Sequence, residues 1–411
     1  LTQSTLTISL AAALLVGCGG SQPPISAPGA VPQASALAGR TTSTNYKVLY
    51  SFGKIPDGSY PTASLIDMGG TLYGTTAGGG SNSCGYYPYS PYNGCGTVFS
   101  ITQSGTEKVL YRFGSAPDGS VPRASLLDVG GTLYGTTAYG GPYTCGYDEQ
   151  PFSCGTVFSV ATSGTEKVLH SFGSGYDGRY PVAGLIKVKG TLYGTTSGGG
   201  ANFCFYTSNI LCGTVFSITP RGTEKVLYSF SYRHHPNRPS DSLIDVGGTL
   251  YGTTQSGGKH RFGTVFSITI GGRLKVLHEF GSGTDGNSPH ASLIDVGGTL
   301  YGTTENGGAN MCGSSRDHYT CGTVFSITPG GTEKVLHSFG SGSDGYSPVA
   351  GLIEVNGTLY GTTSSGGGHG CGTVYSVTTD GTEQVLHSFR SSSRNDGCLP
   401  LASLADVNGT L

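Results

Sequence analysis

The sequence predicts an all-β protein, a β-propeller of four-stranded antiparallel blades. Three observations carry this. The motif Leu-Tyr-Gly-Thr-Thr occurs six times, beginning at Leu72, Leu133, Leu192, Leu250, Leu300 and Leu359, and its tyrosines lie 61, 59, 58, 50 and 59 residues apart. A period of this length marks a tandem array. Glycine supplies 72 of 411 residues and charged residues only 11%, the balance that short strands and tight turns produce. No sustained helical periodicity follows residue 17.

The second copy shows how each element arises. Ala124 to Val129 forms a short first strand, and Gly130-Gly131 follows it. A two-residue Gly-Gly link suits a type I′ hairpin, in which both central residues have positive φ. Asn356-Gly357 and Asn408-Gly409 fill the same place in other copies. The second strand is Thr132 to Thr137. After a variable loop, Gly155 to Val160 forms the third, and a turn at Ser163-Gly164 leads to a fourth, Lys167 to Phe172. A longer loop containing Asp177-Gly178 reaches the next copy. Such a sheet leaves both faces uncovered, and radial stacking of blades covers them. A glycine centres each second strand (Gly74, Gly135, Gly194, Gly252, Gly302, Gly361), which implies close approach by a bulky group. An adjacent blade is expected to supply it, through an aromatic such as Phe99 or Phe158.

Complete sets of four strands begin near Ala63, Ala124, Ala183, Ser242, Ala291 and Ala350. A spare fourth strand, Lys47 to Phe52, precedes them, and a spare first strand, Ala402 to Val407, follows them. The expectation is a seven-bladed propeller over residues 45–411, its last blade split between the chain ends and truncated by about 20 residues.

Ahead of the array, Leu6 to Val16 is a short apolar run ending in Leu15-Val16-Gly17-Cys18. Residues 1–18 resemble a bacterial lipoprotein signal, with Cys18 as the lipidated residue, although Thr2 to Thr5 lack the usual Lys or Arg. Residues 19–44, rich in Pro, Ala, Ser and Gly, make a flexible tether. The expected location is exported, lipid-anchored in the envelope or on the outer surface, touching membrane only through that lipid.

The pattern Leu-Tyr-Gly-Thr-Thr-x-x-Gly-Gly, then Gly-Thr-Val-Phe-Ser-Ile, then Gly-Thr-Glu-Lys-Val-Leu-Tyr-Ser-Phe resembles the GloVer tandem repeat of bacterial "choice-of-anchor" surface proteins, across residues 46–411. The resemblance implies a secreted or surface-anchored repeat protein whose anchor varies between members. It implies no enzymatic activity and no catalytic residues.

Eleven cysteines are present. Apart from Cys18, four pairs sit in the loops between second and third strands: Cys84 with Cys95, Cys145 with Cys154, Cys204 with Cys212, and Cys312 with Cys321. Each closes a short loop, as a disulfide does in an exported protein. Cys371 has no local mate and Cys398 lies in the next interblade loop on the same face, so they form an expected fifth bridge. Irregular spacing and the absence of Cys-x-x-Cys speak against zinc, and no metal or cofactor is expected.

The interblade Asp-Gly (Asp57, Asp118, Asp177, Asp285, Asp344, Asp396) reads as a turn, because one carboxylate per loop is too few for calcium without neighbours. His170, His278, His337 and His387 share a fourth-strand position with Tyr50, Tyr111 and Tyr228, which reads as packing. Two departures point to binding. Aromatics crowd the loops of copies one to three: Tyr86, Tyr87, Tyr89, Tyr92, Tyr139, Tyr143, Tyr147, Phe152, Phe203, Phe205 and Tyr206. Held by disulfides, such rings stack on sugars or anchor peptides. The fourth copy lacks the cysteine pair and Asp-Gly and carries Arg233, His234, His235 and Arg238 in one loop and Lys259, His260 and Arg261 in the other, a cationic cluster for an anionic group. No nucleophile elbow, phosphate loop or cofactor fingerprint occurs, and no basic run suggests nucleic acid. The functional expectation is a non-enzymatic propeller that binds glycan or surface protein through its loop face. The alternatives are an envelope scaffold or a carbohydrate-active enzyme with an axial site.

Overall fold

A computed structural model describes residues 46–53, 56–80, 84, 94–114, 116–145, 153–202, 212–231, 236–281, 284–312, 319–390 and 396–411. The signal segment with Cys18 and the tether at 19–44 lie outside them. The described residues form six four-stranded antiparallel sheets, each ordered first to fourth strand as in the sequence, and no helix. Blade 2, for instance, is built from Leu127–Val129, Thr132–Thr137, Thr156–Ala161 and Glu166–Ser171. The six blades make a β-propeller.

The hairpin expectation holds in geometry. Both central residues have positive φ at Gly130-Gly131 (61° and 83°), at Asn356-Gly357 (52° and 81°) and at Lys189-Gly190 (49° and 84°). The first-strand acid closes this turn: Asp128 Oδ1 accepts the Gly131 N–H at 2.8 Å, and Asp67, Asp245, Asp295 and Asp406 do the same in their copies. Its repetition therefore reflects local turn chemistry.

First strands run side by side around the axis, and Ser242 N–H donates to Ser292 Oγ between blades 4 and 5. Second and third strands are almost wholly buried, while the fourth lies half-exposed at the rim. The centre-strand glycine is explained with one correction. A Cβ at Gly194 would lie 2.7 Å from Phe216 Cζ and 2.9 Å from Leu185 Cδ2. Phe216 is the cross-strand neighbour of Gly194 in the same sheet, so the bulky group belongs to the same blade and not to an adjacent one. That ring is then sealed from the preceding blade. Phe172 meets Phe216 edge-on at 5.1 Å, as Phe113 meets Phe158, Phe230 meets Phe266, Phe280 meets Phe325 and Phe339 meets Tyr375. Edge-to-face rings at such separations add to the apolar burial.

The two threonines of the motif have separate duties. The second of each pair bonds the third-strand threonine of its own blade, as Thr196 Oγ1 with Thr214 Oγ1 at 2.8 Å. The first donates to a carbonyl at the head of the next blade, as Thr136 to Ala183 O at 2.9 Å.

Both chain ends occupy the sector between blades 6 and 1. Phe52 meets Phe99 of blade 1 at 4.8 Å, and Tyr46 stacks on His387 of blade 6 at 4.3 Å. Thr362 of blade 6 donates to Ala402 O, and Ser403 N–H donates to Ser64 Oγ of blade 1. Among the described residues no helix is long and apolar enough to cross a membrane.

Candidate functional site

The two variable loops of each blade share one face. Short ladders join them: Gly58–Ser59 pairs with Gly78–Gly79, and Gly286–Asn287 with Asn306–Gly307. The residue before the interblade proline has φ near +57° in every copy: Tyr60, Val121, Tyr180, Arg238, Ser288, Ser347 and Leu399. Its backbone explains why. Tyr180 N–H donates to Cys154 O of the preceding blade, and its carbonyl accepts from Ser197 N–H of its own. Non-glycine residues held in the left-handed region are strained and persist where the surroundings fix them. Here they latch one blade to the next on the loop face.

A second interblade unit joins motifs that look unrelated in the sequence. The fourth-strand ring donates to the aspartate seven residues on: Tyr50 to Asp57 and Tyr111 to Asp118 at 2.9 Å, with His170–Asp177, His278–Asp285 and His337–Asp344 at 2.9–3.0 Å. The aspartate also accepts a backbone N–H, as from Gly173. Against each pair lies the glutamate that opens the fourth strand of the next blade. Burial, followed by the nearby aspartate, pushes Glu166 and Glu333 up to about 7. Glu224 and Glu383 are raised equally by burial, with Asp177 and Asp344 adding and the histidines opposing. Their Oε1 atoms, and that of Glu107, are shut from solvent without a hydrogen-bond partner.

The fourth copy breaks this unit on both sides. Seven residues after Tyr228 stands His235 in place of the aspartate, and Leu274 stands where the facing glutamate would be. Its loop between second and third strands also differs. Phe262 replaces the second cysteine, and its ring covers Gly281, where cysteine sulfurs cover Gly173 and Gly340. Lys259 and Arg261 are exposed and His260 is half-buried. Lys259 N–H donates to Glu279 Oε1, and Lys259, His260, Val276, Leu277, His278 and Glu279 line an open depression.

Towards the axis the same sector holds a cluster that sequence reasoning missed. Asp241 stands where the other copies have Ala63, Ala124, Ala183, Ala291, Ala350 and Ala402. The residue is half-buried as a whole, but burial of its carboxyl is enough to push it up to about 6, against the pull of His290 and the hydroxyls of Thr253 and Ser240. Both hydroxyls donate to Oδ2 at 3.2 Å. His290 Nε2 lies 3.2 Å from Glu305 Oε2 and contacts the Gln255 side-chain amide. Burial opposes protonation of His290, yet Glu305 and Asp241 raise it above the ordinary imidazole value, while the bond from His290 lowers Glu305. The array carries part of the signal: the Asp241 place is alanine in the other copies and the Gln255 and Glu305 place is alanine or serine elsewhere, whereas the His290 place varies from Val182 to Arg123.

Of the residues chosen from sequence, Lys259, His260 and Arg261 lie together on the loop face, and Tyr143 is exposed on it at 42%. Tyr139 packs edge-on to Tyr180. Tyr86, Tyr87, Tyr89, Tyr92, Tyr147, Phe152, Phe203, Phe205, Tyr206, Arg233, His234 and His235 fall outside the described residues, so their clustering is not addressed. Bridges join Cys84–Cys95, Cys145–Cys154, Cys312–Cys321 and Cys371–Cys398, the last with Cα atoms 4.6 Å apart. Cys212 is also disulfide-bonded, and Cys204 lies outside the described residues.

Residues 36–206 and 203–411 match the Gloeobacter/Verrucomicrobia repeat. The chain belongs to that family. No curated protein shows significant sequence similarity to this member of the repeat family. Solved structures resemble it in fold. A "putative 6-phosphogluconolactonase" of Bacteroides uniformis aligns with a TM-score of 0.50 at 13% identity, over 85% of this chain and 89% of that one. A gluconolactonase of Xanthomonas campestris aligns at 0.37 and 15% identity, over 66% and 76%. An α-L-arabinofuranosidase of Clostridium thermocellum aligns at 0.31 and 14%, over 64% and 92%. At these identities the first likeness shows the propeller fold alone, and the other two carry no argument.

Proposed function

We propose that this repeat protein is an exported, lipid-anchored, non-catalytic propeller that binds a glycan or a surface protein through its loop face. The reading includes a seventh blade to which both chain ends contribute, supported by the contacts of Tyr46, Phe52, Ala402 and Ser403 with blades 6 and 1. One observation carries the binding reading. Departures from an otherwise uniform repeat collect on that face in blades 4 and 5: Asp241, Gln255, His290 and Glu305 towards the axis, Lys259, His260 and Arg261 further out. Unlike residues in an array of like units are where a specific ligand is met. The partly open Glu305 carboxylate, an amide and an imidazole, backed by the buried carboxyl of Asp241, suit a hydroxyl-rich ligand.

The test is a glycan array and a surface-protein capture assay with two variants. One combines Asp241→Ala, His290→Val and Glu305→Ser, each installing a residue another copy carries. The other combines Tyr86→Ala, Tyr87→Ala and Tyr89→Ala. Loss of a bound ligand in either, with thermal stability retained, supports the reading. A ligand that binds both variants as well as the parent refutes it.

One observation favours a catalytic alternative. Asp241 is pushed up and Glu305 pulled down on either side of His290, and such divergence separates proton donors from acceptors. Hydrolysis of a chromogenic glycoside or sugar lactone, abolished in the first variant, would establish it.

A further inference from the structure

One aspartate in an interblade loop is too few to hold a cation, and the fold supplies neighbours for Asp285. We propose that His278, Asp285 and Glu333, at the interface of blades 4 and 5, bind one divalent transition metal of the zinc class.

The three side chains come from three separately anchored elements. His278 projects from the fourth strand of blade 4, Asp285 from the following loop, and Glu333 opens the fourth strand of blade 5. One ligand atom of each lies within 4.8 Å of the other two, and among the described residues no other group of three or more such side chains meets this closeness. His278 Nε2 and an Asp285 oxygen are 2.9 Å apart. Zinc holds nitrogen and oxygen ligands at about 2.0–2.2 Å, so two ligands of one ion lie roughly 3 Å apart. The pair therefore needs little movement to admit a metal between its ligand atoms and Glu333.

A second observation is independent of this spacing. Glu333 Oε1 is closed to solvent and has no hydrogen-bond partner. A carboxylate oxygen in that state gains most from an ion, because a buried polar atom left unpaired is costly. Asp285 is already oriented: Gly286 N–H donates to Oδ1 at 2.7 Å and Gly281 N–H to Oδ2 at 3.2 Å. Such outer contacts fix a ligand before the metal arrives. The depression beside Lys259 and His260 reaches His278 and offers a route in.

The donor set selects the ion. One imidazole and two carboxylates suit zinc, whereas calcium takes six to eight oxygens. The repeat adds an internal control, because the copy that loses the aspartate also carries Leu274 for the glutamate. The carboxylates thus act as a pair.

The test is calorimetric titration of zinc into the chelator-stripped full chain, alongside His278→Tyr and Glu333→Gln. Tyrosine holds the His278 place in two copies that keep the aspartate, so His278→Tyr retains a donor to Asp285 while removing the nitrogen ligand. The expected result is one saturable site in the parent, weakened at least tenfold in each variant, with the melting temperatures of the metal-free proteins little changed. Absence of saturable zinc binding overturns the proposal. So does a site that survives both substitutions, which would leave Glu333 as a neutral acid pinned between blades.

Discussion

Raising the pH from 5 to 8 should destabilise the propeller, and the interblade glutamates set the size of the effect. Glu166, Glu224, Glu333 and Glu383 are each pushed from 4.5 to about 7, with burial the first cause. A folded-state value above the unfolded one means that the native protein binds more protons between these limits. The stabilisation is therefore complete below about pH 4.5 and lost as pH rises through about 7. A shift of this size corresponds to ~3 kcal/mol per group at most. These side chains are only half-buried, so solvent screening reduces it to roughly 1 kcal/mol each and about 4 kcal/mol for the four. Over a chain of this length that is a fall in melting temperature of roughly 5 °C. His278, raised by Asp285 and Glu333 against the opposing effect of burial, acts in the same direction. Calorimetric melts at pH 5, 6, 7 and 8 measure the slope. Glu383→Gln mimics the neutral acid, so it should melt close to the parent at pH 5 and about 1 °C above it at pH 8. A melting temperature that is flat or rises between pH 5 and 8 would refute the reasoning, because it would mean that these carboxyls ionise freely in the folded protein.

Two further outcomes follow from the packing. Gly194→Ala places a methyl 2.7 Å from Phe216 Cζ and 2.9 Å from Leu185 Cδ2, so it should cost about 1–3 kcal/mol in denaturant unfolding; a neutral result would show that the blade can repack there. Replacing both Cys371 and Cys398 by serine opens a 27-residue span and should cost roughly 3 kcal/mol, read as a lower melting temperature without reductant, whereas an unchanged melt would show that the bridge adds no stability.

Much of this fold was legible because the repeat repeats its physics. Gly-Gly and Asn-Gly demanded positive φ at two successive positions, and no other arrangement of the first two strands meets that demand so simply. The fourth-strand rings and the loop aspartates were visible too, but reading each down its own column gave a packing residue and a turn. Their constant separation of seven residues, from Tyr50 and Asp57 to His337 and Asp344, was the signal that they meet. The glutamate's part was harder to see, since it reaches the pair from the next blade and only the stacking of sheets sets that distance. Asp241 was hidden for a different reason. A fourth copy counted from Ser242 begins one residue late and leaves Asp241 in a loop already rich in arginine and histidine. Placed on the alanine column, Asp241 is a buried carboxyl where six copies have a methyl group. The loss of an aspartate together with Leu274, and the gain of Asp241 beside His290 and Glu305, fall in the same sector of the ring. A decayed copy would shed side chains that make contacts and would not acquire an ionisable cluster with bonded partners. The fourth copy has lost the common interblade contact and, through Asp241, has gained a bonded cluster with His290 and Glu305 at the next blade, which is the pattern the proposed binding face calls for.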